Sequence, residues 1–414
     1  MNMTPHPTVA LPRPGSTARV TRWTVPSIMT VSLVAAAQLV LVAGPLFLSP
    51  NAVERLTTLF IYGILALMWN ALAGYAGLLS VGHQAFFGLG AYAAIRLADW
   101  GVCPFLALLL AATLVGALSI PIAAFMLRLR GGEFAIGMWV VAALCHLLVN
   151  LDNLVQGETG TSLIALQAYA ADDRRNYTYW AALGTMAALA WLVFVMLRGK
   201  MGTAAQAIRD NEEAAGSVGV RVRPSKRLIF VLSAFGCAAA GALWLASSIT
   251  FQPQNYFSVQ WTAYMIFMVL VGGIGTYEGP ILGAVLFFTI ETLFGATGVT
   301  YLIGLGATAL LFALGLSLSG VVQFGVGLMD SGSSLAAAKG GKGAFFTGVL
   351  AVVVASPCTA PFMGTALGYA VSQSAAVALL VFVALGLGMA LPFLLLALQW
   401  SLTSPMHFQA VLAI

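Results

Sequence analysis

Four places in the sequence hold residues that could do chemistry within an otherwise apolar chain. Ser80-Val81-Gly82-His83-Gln84 sits at a break between two apolar half-spans, in the string NALAGYAGLLSVGHQAFFGLGAYAA. Such a break frees backbone groups and helix-dipole ends that can hold a zwitterion; the alternative is a tight turn in which backbone satisfies His83. Glu291 lies in mid-span, where a carboxylate costs about 3 kcal/mol or more, so it should face the bundle, a cavity or a partner, and it is a further candidate for a translocation path. Cys358 stands between Pro357 and Pro361. Flanking prolines break a helix and can expose a cysteine inside the bilayer for thiol–disulfide exchange. The fourth place is the polar stretch 198–227, RGKMGTAAQAIRDNEEAAGSVGVRVRPSKR, with Arg198, Lys200, Arg209, Arg221, Arg223, Lys226 and Arg227 against Asp210, Glu212 and Glu213.

The elements that position these groups are membrane spans. With 60% hydrophobic and 7% charged residues, the composition excludes a soluble protein. The net charge of +5 is no nucleic-acid signal, because the cations cluster at loops as the positive-inside bias predicts. Spans are expected near 27–48, 56–79, 83–98, 104–127, 134–151, 178–197, 228–250, 260–275, 280–296 and 299–320, with two more near 344–371 and 375–399. The expected fold class is all-α, a polytopic transmembrane helical bundle of about ten spans plus about two at the C-terminal side. Residues 1–26 read as a disordered cytoplasmic tail. The run 27–48 is long enough to span, so secretory cleavage is not expected. This count places Arg128, Arg130 and residues 198–227 in the cytoplasm and residues 152–177 outside, where Asp172, Asp173, Arg174 and Arg175 cancel. Cys103, Cys145, Cys237 and Cys358 are widely spaced singles without metal-ligand spacing. No P-loop string occurs, so no ATP hydrolysis is expected of this chain.

Stretch 198–227 predicts one short helix. Thr203 and Gln206 have capping-box spacing, Ala204, Ile208, Asn211 and Ala215 share a small-residue face, and Gly216 or Gly219 can supply a left-handed cap. A small, smooth face suits docking into a partner's groove; a solvated amphipathic loop is the other reading.

Glu213-Ala214-Ala215 followed three residues later by Gly219 is similar to the E-A-A-x-x-x-G pattern of bacterial ABC importer permeases. The longer string AIRDNEEAAGSVGV, running on to RLIFVLSAF, resembles the LivM-type permeases of branched-chain amino-acid importers, although the I-x-L-P part of the general pattern is not clear here. GLLSVGHQAFFGLGAY is similar to a signature of LivM- and LivH-type permeases. LRLRGGEFAIG and MVLVGGIGTYEGPILGA resemble further family strings, and QGETG looks like a degenerate outer-loop motif.

The resemblance implies that Glu213, Ala214, Ala215 and Gly219 couple to an ATPase and that Ser80, His83 and Gln84 lie by the translocation path. It implies a second, LivH-like permease subunit, two ATP-binding subunits, a periplasmic substrate-binding protein and surrounding lipid as partners. It places the chain in a bacterial inner membrane with its N-terminus cytoplasmic, as a transport permease rather than an enzyme, with no cofactor. Glu133 reads as an interfacial capping carboxylate and His146 as a packed, hydrogen-bonded residue. The glycines and Pro280 of GGIGTYEGP allow positive φ, close packing and a helix start, as a tight turn or as a ligand contact.

From about Leu311 the chain resembles the membrane domain of DsbD-type thiol:disulfide interchange proteins, with Ser356-Pro357-Cys358-Thr359-Ala360-Pro361 similar to its second P-C-x-x-P site. The first such site is absent, and the chain stops at Ile414, before that family's remaining parts. The expected organisation is a tail (1–26), a permease domain (27–310) and a partial DsbD-like segment (311–414), a chimera joined near 303–315. A thiol–disulfide electron relay through Cys358 and a non-functional hybrid are the alternative readings. Leucine, isoleucine, valine, other amino acids, amides and urea all have similar permeases.

Overall fold

The computed structural model describes residues 29, 32, 38–129, 131–155 and 157–294. Most of the expected span 27–48, the tail 1–26, Arg130, Gln156, Cys358 and the expected spans near 299–320, 344–371 and 375–399 lie outside the described residues.

The described chain is an all-α bundle whose helices follow the apolar runs. A single turn, α1 (Gly44–Phe47), leads to α2 (Pro50–Asn70). Pro50 occupies the first turn of α2, where a missing N–H costs nothing, and Ser49 caps it by accepting from Ala52 N–H at 3.4 Å. The next helices are α3 (Gln84–Asp99), α4 (Pro104–Met126), α5 (Gly131–Asn150) and α6 (Ala171–Arg198). Two short helices follow, α7 (Lys200–Asp210) and α8 (Glu212–Ser217). The chain then forms α9 (Val222–Ser248), the single turn α10 (Pro253–Tyr256), α11 (Val259–Gly272) and α12 (Gly279–Phe294).

Five described helices are long and apolar enough to cross a membrane: α2 with its extension to Tyr75, α4, α5, α6 and α9. α12 begins at Gly279 and is described as far as Phe294, while α3 and α11, at 16 and 14 residues, fall short of the roughly 20 residues a full crossing needs. They start or end at glycine-rich breaks, which is why these spans are short.

α2 and α9 form the centre. Nearly every residue of α2 from Phe60 onward is buried, as is α9 from Ser233 to Ala246 apart from Phe235 and Trp244. Small residues make that approach possible. A Cβ at Gly90 of α3 would stand 2.1 Å from Ala238 O of α9, so the two backbones meet directly there. Outer helices show the opposite pattern. α4 exposes Leu106, Leu109, Leu114, Leu118 and Phe125, and α5 exposes Ile136, Val140, Leu144 and Leu147. Exposed apolar faces over whole helices belong against lipid or a partner subunit.

Two ends of the bundle are distinct. At one, Arg96 pairs with Asp152, Arg175 with Glu54, and β1 (Thr161–Ser162) pairs antiparallel with β2 (Thr250–Phe251). At the other lie Arg128, α7, α8 and the start of α9, with the loop between α11 and α12. The basic segments therefore gather at one end, as the charge pattern predicts.

Candidate functional site

The break after α2 is built by three departures from helix. Ala71–Tyr75 is a π-turn, Gly77 takes φ 67°, and Leu78 N–H reaches back to Leu72 O at 3.1 Å. The chain then re-enters the bundle. Trp69 Nε1 donates to Ser80 O at 3.0 Å and fixes the returning segment against α2. Gly82 lies on the backbone of α5, where a Cβ would come within 1.9 Å of Met138 O. α3 starts one residue after His83 with no side-chain cap.

Here the structure gathers three residues expected from sequence. Ser80, His83 and Gln84 are all buried, at 0%, 0% and 1% exposure. Ser80 Oγ lies 2.7 Å from His83 Nδ1, so the serine hydroxyl, not backbone, is the partner of His83; the tight-turn reading is corrected on that point. The imidazole is held edge-on by Phe86 and Phe230, at ring-centroid distances of 5.3 and 5.7 Å. Thr262 of α11 donates to Gln84 Oε1. Two nitrogens, His83 Nε2 and Gln84 Nε2, have no partner among the described residues. Buried polar atoms are nearly always satisfied, so this corner can accept a water or a polar solute group.

Glu291 is elsewhere. It sits half-buried on α12 and accepts from Tyr62 OH at 3.1 Å, beside the Tyr62, Tyr264 and Phe287 rings. Among the described residues no hydrogen bond joins it to His83 or Gln84. Its carboxylate faces the bundle, as a mid-span charge must.

Stretch 198–227 differs from the single helix expected. It forms two helices separated at Asn211, whose extended backbone (φ −158°, ψ 108°) ends α7. The expected capping box is not made: Thr203 Oγ1 instead donates to Lys200 O at 3.0 Å. Asn211 is the cap that forms, its Oδ1 accepting from Glu213 and Ala214 N–H at 3.1 and 3.0 Å. The small-residue face is likewise redistributed. Gly202, Ala205, Ile208 and Ala215 are buried, Ala204 is only partly buried, and Asn211 is exposed. Glu213 and Ala214 face outward. The C-terminal end matches expectation. Gly219 takes φ 89°, Val220 N–H bonds Ala215 O at 3.0 Å, and Gly219 N–H bonds Gly216 O at 3.1 Å, a Schellman end.

Sequence reading missed the residues that tie this loop to the break. Arg209 Nη1 donates to Gly74 O, inside the π-turn, at 2.9 Å. Asn70, fully buried, accepts from Gly275 N–H and donates to Thr276 O, both at 2.8 Å. Lys226 Nζ lies 2.6 Å from Glu212 Oε2 and pins α8 to α9. A polar Asn70 inside an apolar run was the available signal; its partners were not. Gly273 and Gly275 take positive φ as GGIGTYEGP suggests, while Gly283 packs so closely that a Cβ would stand 1.8 Å from Met268 O.

At the opposite end, Asp152 receives hydrogen bonds from Tyr92 and Arg96. Burial would raise its carboxyl, but the bonds from Tyr92, Leu154 N–H and Arg96 outweigh this and hold it below the usual carboxylate range. Glu133 is exposed in the first turn of α5, as an interfacial carboxylate. His146 is half-buried rather than in the core, with Nε2 3.1 Å from Glu158 Oε1 and 3.4 Å from Asn150 Nδ2. Cys103, Cys145 and Cys237 are unpaired thiols, and Cys358 lies outside the described residues.

A multi-pass helical membrane protein with a broken central helix and a cationic loop hung beneath it is a transporter-like arrangement. The family described as the permease component of branched-chain amino acid transport systems matches residues 51–302, and the chain belongs to it. The high-affinity branched-chain amino acid transport system permease protein LivM of Escherichia coli strain K12 is 29% identical over 279 residues, covering 59% of this chain and 64% of that protein. The protein so named from Salmonella typhimurium is 29% identical over 274 residues, with the same coverage. The chain thus spans 64% of the length of these relatives. A solved structure, PsaBC from Streptococcus pneumoniae in complex with Fab, aligns at 14% identity and TM-score 0.38, covering 68% of this chain and 94% of that one. The family match ends before residues 311–414, so the expected DsbD-like segment gains no support from it.

Proposed function

We propose that this chain is a permease subunit of an ABC importer for branched-chain or related amino acids. A second permease subunit, two ATP-binding subunits and a substrate-binding protein would complete it, in a bacterial inner membrane with residues 198–227 on the cytoplasmic side. The observation that carries the reading is the tie between loop and break: Arg209 to Gly74 O, with Asn70 holding the same segment to Gly275 and Thr276. Movement of α7 and α8 by an ATPase would pull on the π-turn that precedes Ser80, His83 and Gln84. That converts a push at the bundle end into a change at its buried polar corner. Glu213 and Ala214 are the outward face of α8, Ala215 its buried anchor and Gly219 its end, consistent with a docked coupling helix.

The test is uptake of labelled leucine, isoleucine and valine in cells carrying the full chain with its partner subunits. Glu213→Ala combined with Gly219→Ala should lower uptake by about tenfold or more, the loss of about 1.4 kcal/mol or more of coupling, while membrane insertion persists. Wild-type uptake in that variant would remove the coupling role. For residues 311–414 a thiol–disulfide relay through Cys358 is the alternative, and the missing first P-C-x-x-P site argues against it; a mixed disulfide trapped at Cys358 in cells would revive it.

A further inference from the structure

A cleft of about 390 Å³ opens at the loop-bearing end of the bundle, between the end of α4 and the start of α9. Its walls are Leu127, Arg128, Glu212, Arg223 and Lys226. Three cations face one carboxylate. Lys226, 13% exposed at its side chain, is committed to Glu212 at 2.6 Å, and this pair closes one wall. Arg128 and Arg223 are exposed and have no ion-pair partner among the described residues. The cleft therefore has two uncommitted guanidinium groups, one from the turn after α4 and one from α9.

A guanidinium is a planar fork that binds phosphate oxygens in pairs and is more weakly hydrated than an ammonium. Two of them around one cavity suit an anion that offers several oxygens, and a phosphate group can engage both forks at once. Position then selects the source. Arg128 follows α4 by two residues, and α4 turns Leu118 and Phe125 outward just before it; Leu228, also exposed, follows Lys226 by two residues on α9. The cations thus sit where lipid-facing surface gives way to polar loop, the level of phospholipid headgroups.

We propose that this cleft is a phosphate site that seats the headgroup of an anionic membrane phospholipid. Occupancy would tie α8 to the membrane surface through the Glu212–Lys226 wall, so that the loop helix rests on lipid as well as on protein. The inference does not depend on which solute is transported.

The full-length protein, purified in mild detergent, would be offered equal phosphatidylglycerol and phosphatidylcholine and examined by native mass spectrometry. Wild type should retain phosphatidylglycerol over phosphatidylcholine by roughly tenfold or more, as two surface cations near a headgroup imply. Arg128→Gln with Arg223→Gln should lose that preference, whereas Arg55→Gln, an exposed cation at the other end, should keep it. Equal retention of the two lipids by wild type would overturn the proposal without recourse to any variant. So would an unchanged preference in the double variant. Binding of inorganic phosphate with no retained phosphatidylglycerol would assign the cleft to a soluble anion instead and also overturn it.

Discussion

Asn70 shows how one side chain can hold a broken helix together. It is fully buried, and both ends of its amide are used, by Gly275 N–H and by Thr276 O. Asn70→Ala would remove both hydrogen bonds at a part-buried break, each worth about 0.5–1.5 kcal/mol. The expected outcome is a clear loss of thermal stability in detergent-purified protein. Asp152 offers a second residue-level test. Its folded carboxyl lies below the unfolded value, so the stability it contributes is fully present above the usual carboxylate pKa. That contribution is lost as pH falls through the depressed folded value, in the window below about pH 4. Asp152→Asn should be less stable at neutral pH and should show a flatter acid limb in a thermal-stability profile against pH.

At the scale of elements, the loop is two helices because Asn211 serves both. Its extended backbone stops α7, and its side chain caps α8. Thr203, four residues into α7, turns its hydroxyl back to Lys200 O and has no free helix end to cap. Asn211→Ala should cost about 1 kcal/mol of local stability, while Asn211→Ser should retain most of the cap. Hydrogen exchange of the Glu213 and Ala214 amides measures this directly: they should exchange faster in the alanine variant, with α9 amides unchanged. The short helices α3 and α11 follow the same logic. Each is bounded by a break or glycine turn that is itself hydrogen-bonded, so a half-length span does not leave its end unsatisfied.

For the whole molecule, the two ends differ in charge and in what they assemble. One gathers Arg128, Arg209, Arg223 and Lys226 around the loop; the other pairs Arg96 with Asp152 and Arg175 with Glu54. Val218, 78% exposed beside Gly219, marks the first end. In a background with the native cysteines changed to serine, Val218→Cys should react with a membrane-impermeant maleimide only after cells are opened. Labelling of intact cells would reverse the assigned orientation.

Hydropathy and local strings made the helical class, the positions of most spans, the clustering of cations at one end and the permease family readable from sequence alone. Each depends on neighbours within a few turns of one helix. The string SVGHQ marked the break, and EEAAGSVG marked the loop helix and its glycine end, for that reason. What joins them was not readable. Gly275 and Asn70 are separated by 205 positions, and Arg209 and Gly74 by 135. The Arg128, Arg223 and Lys226 cleft likewise draws on the turn after α4 and on α9, which are not consecutive. Packing of α9 against α3 and α4 brings these parts into register. Contacts of that kind are set by how glycine-lined helices close on one another, and no periodicity within a single helix encodes them.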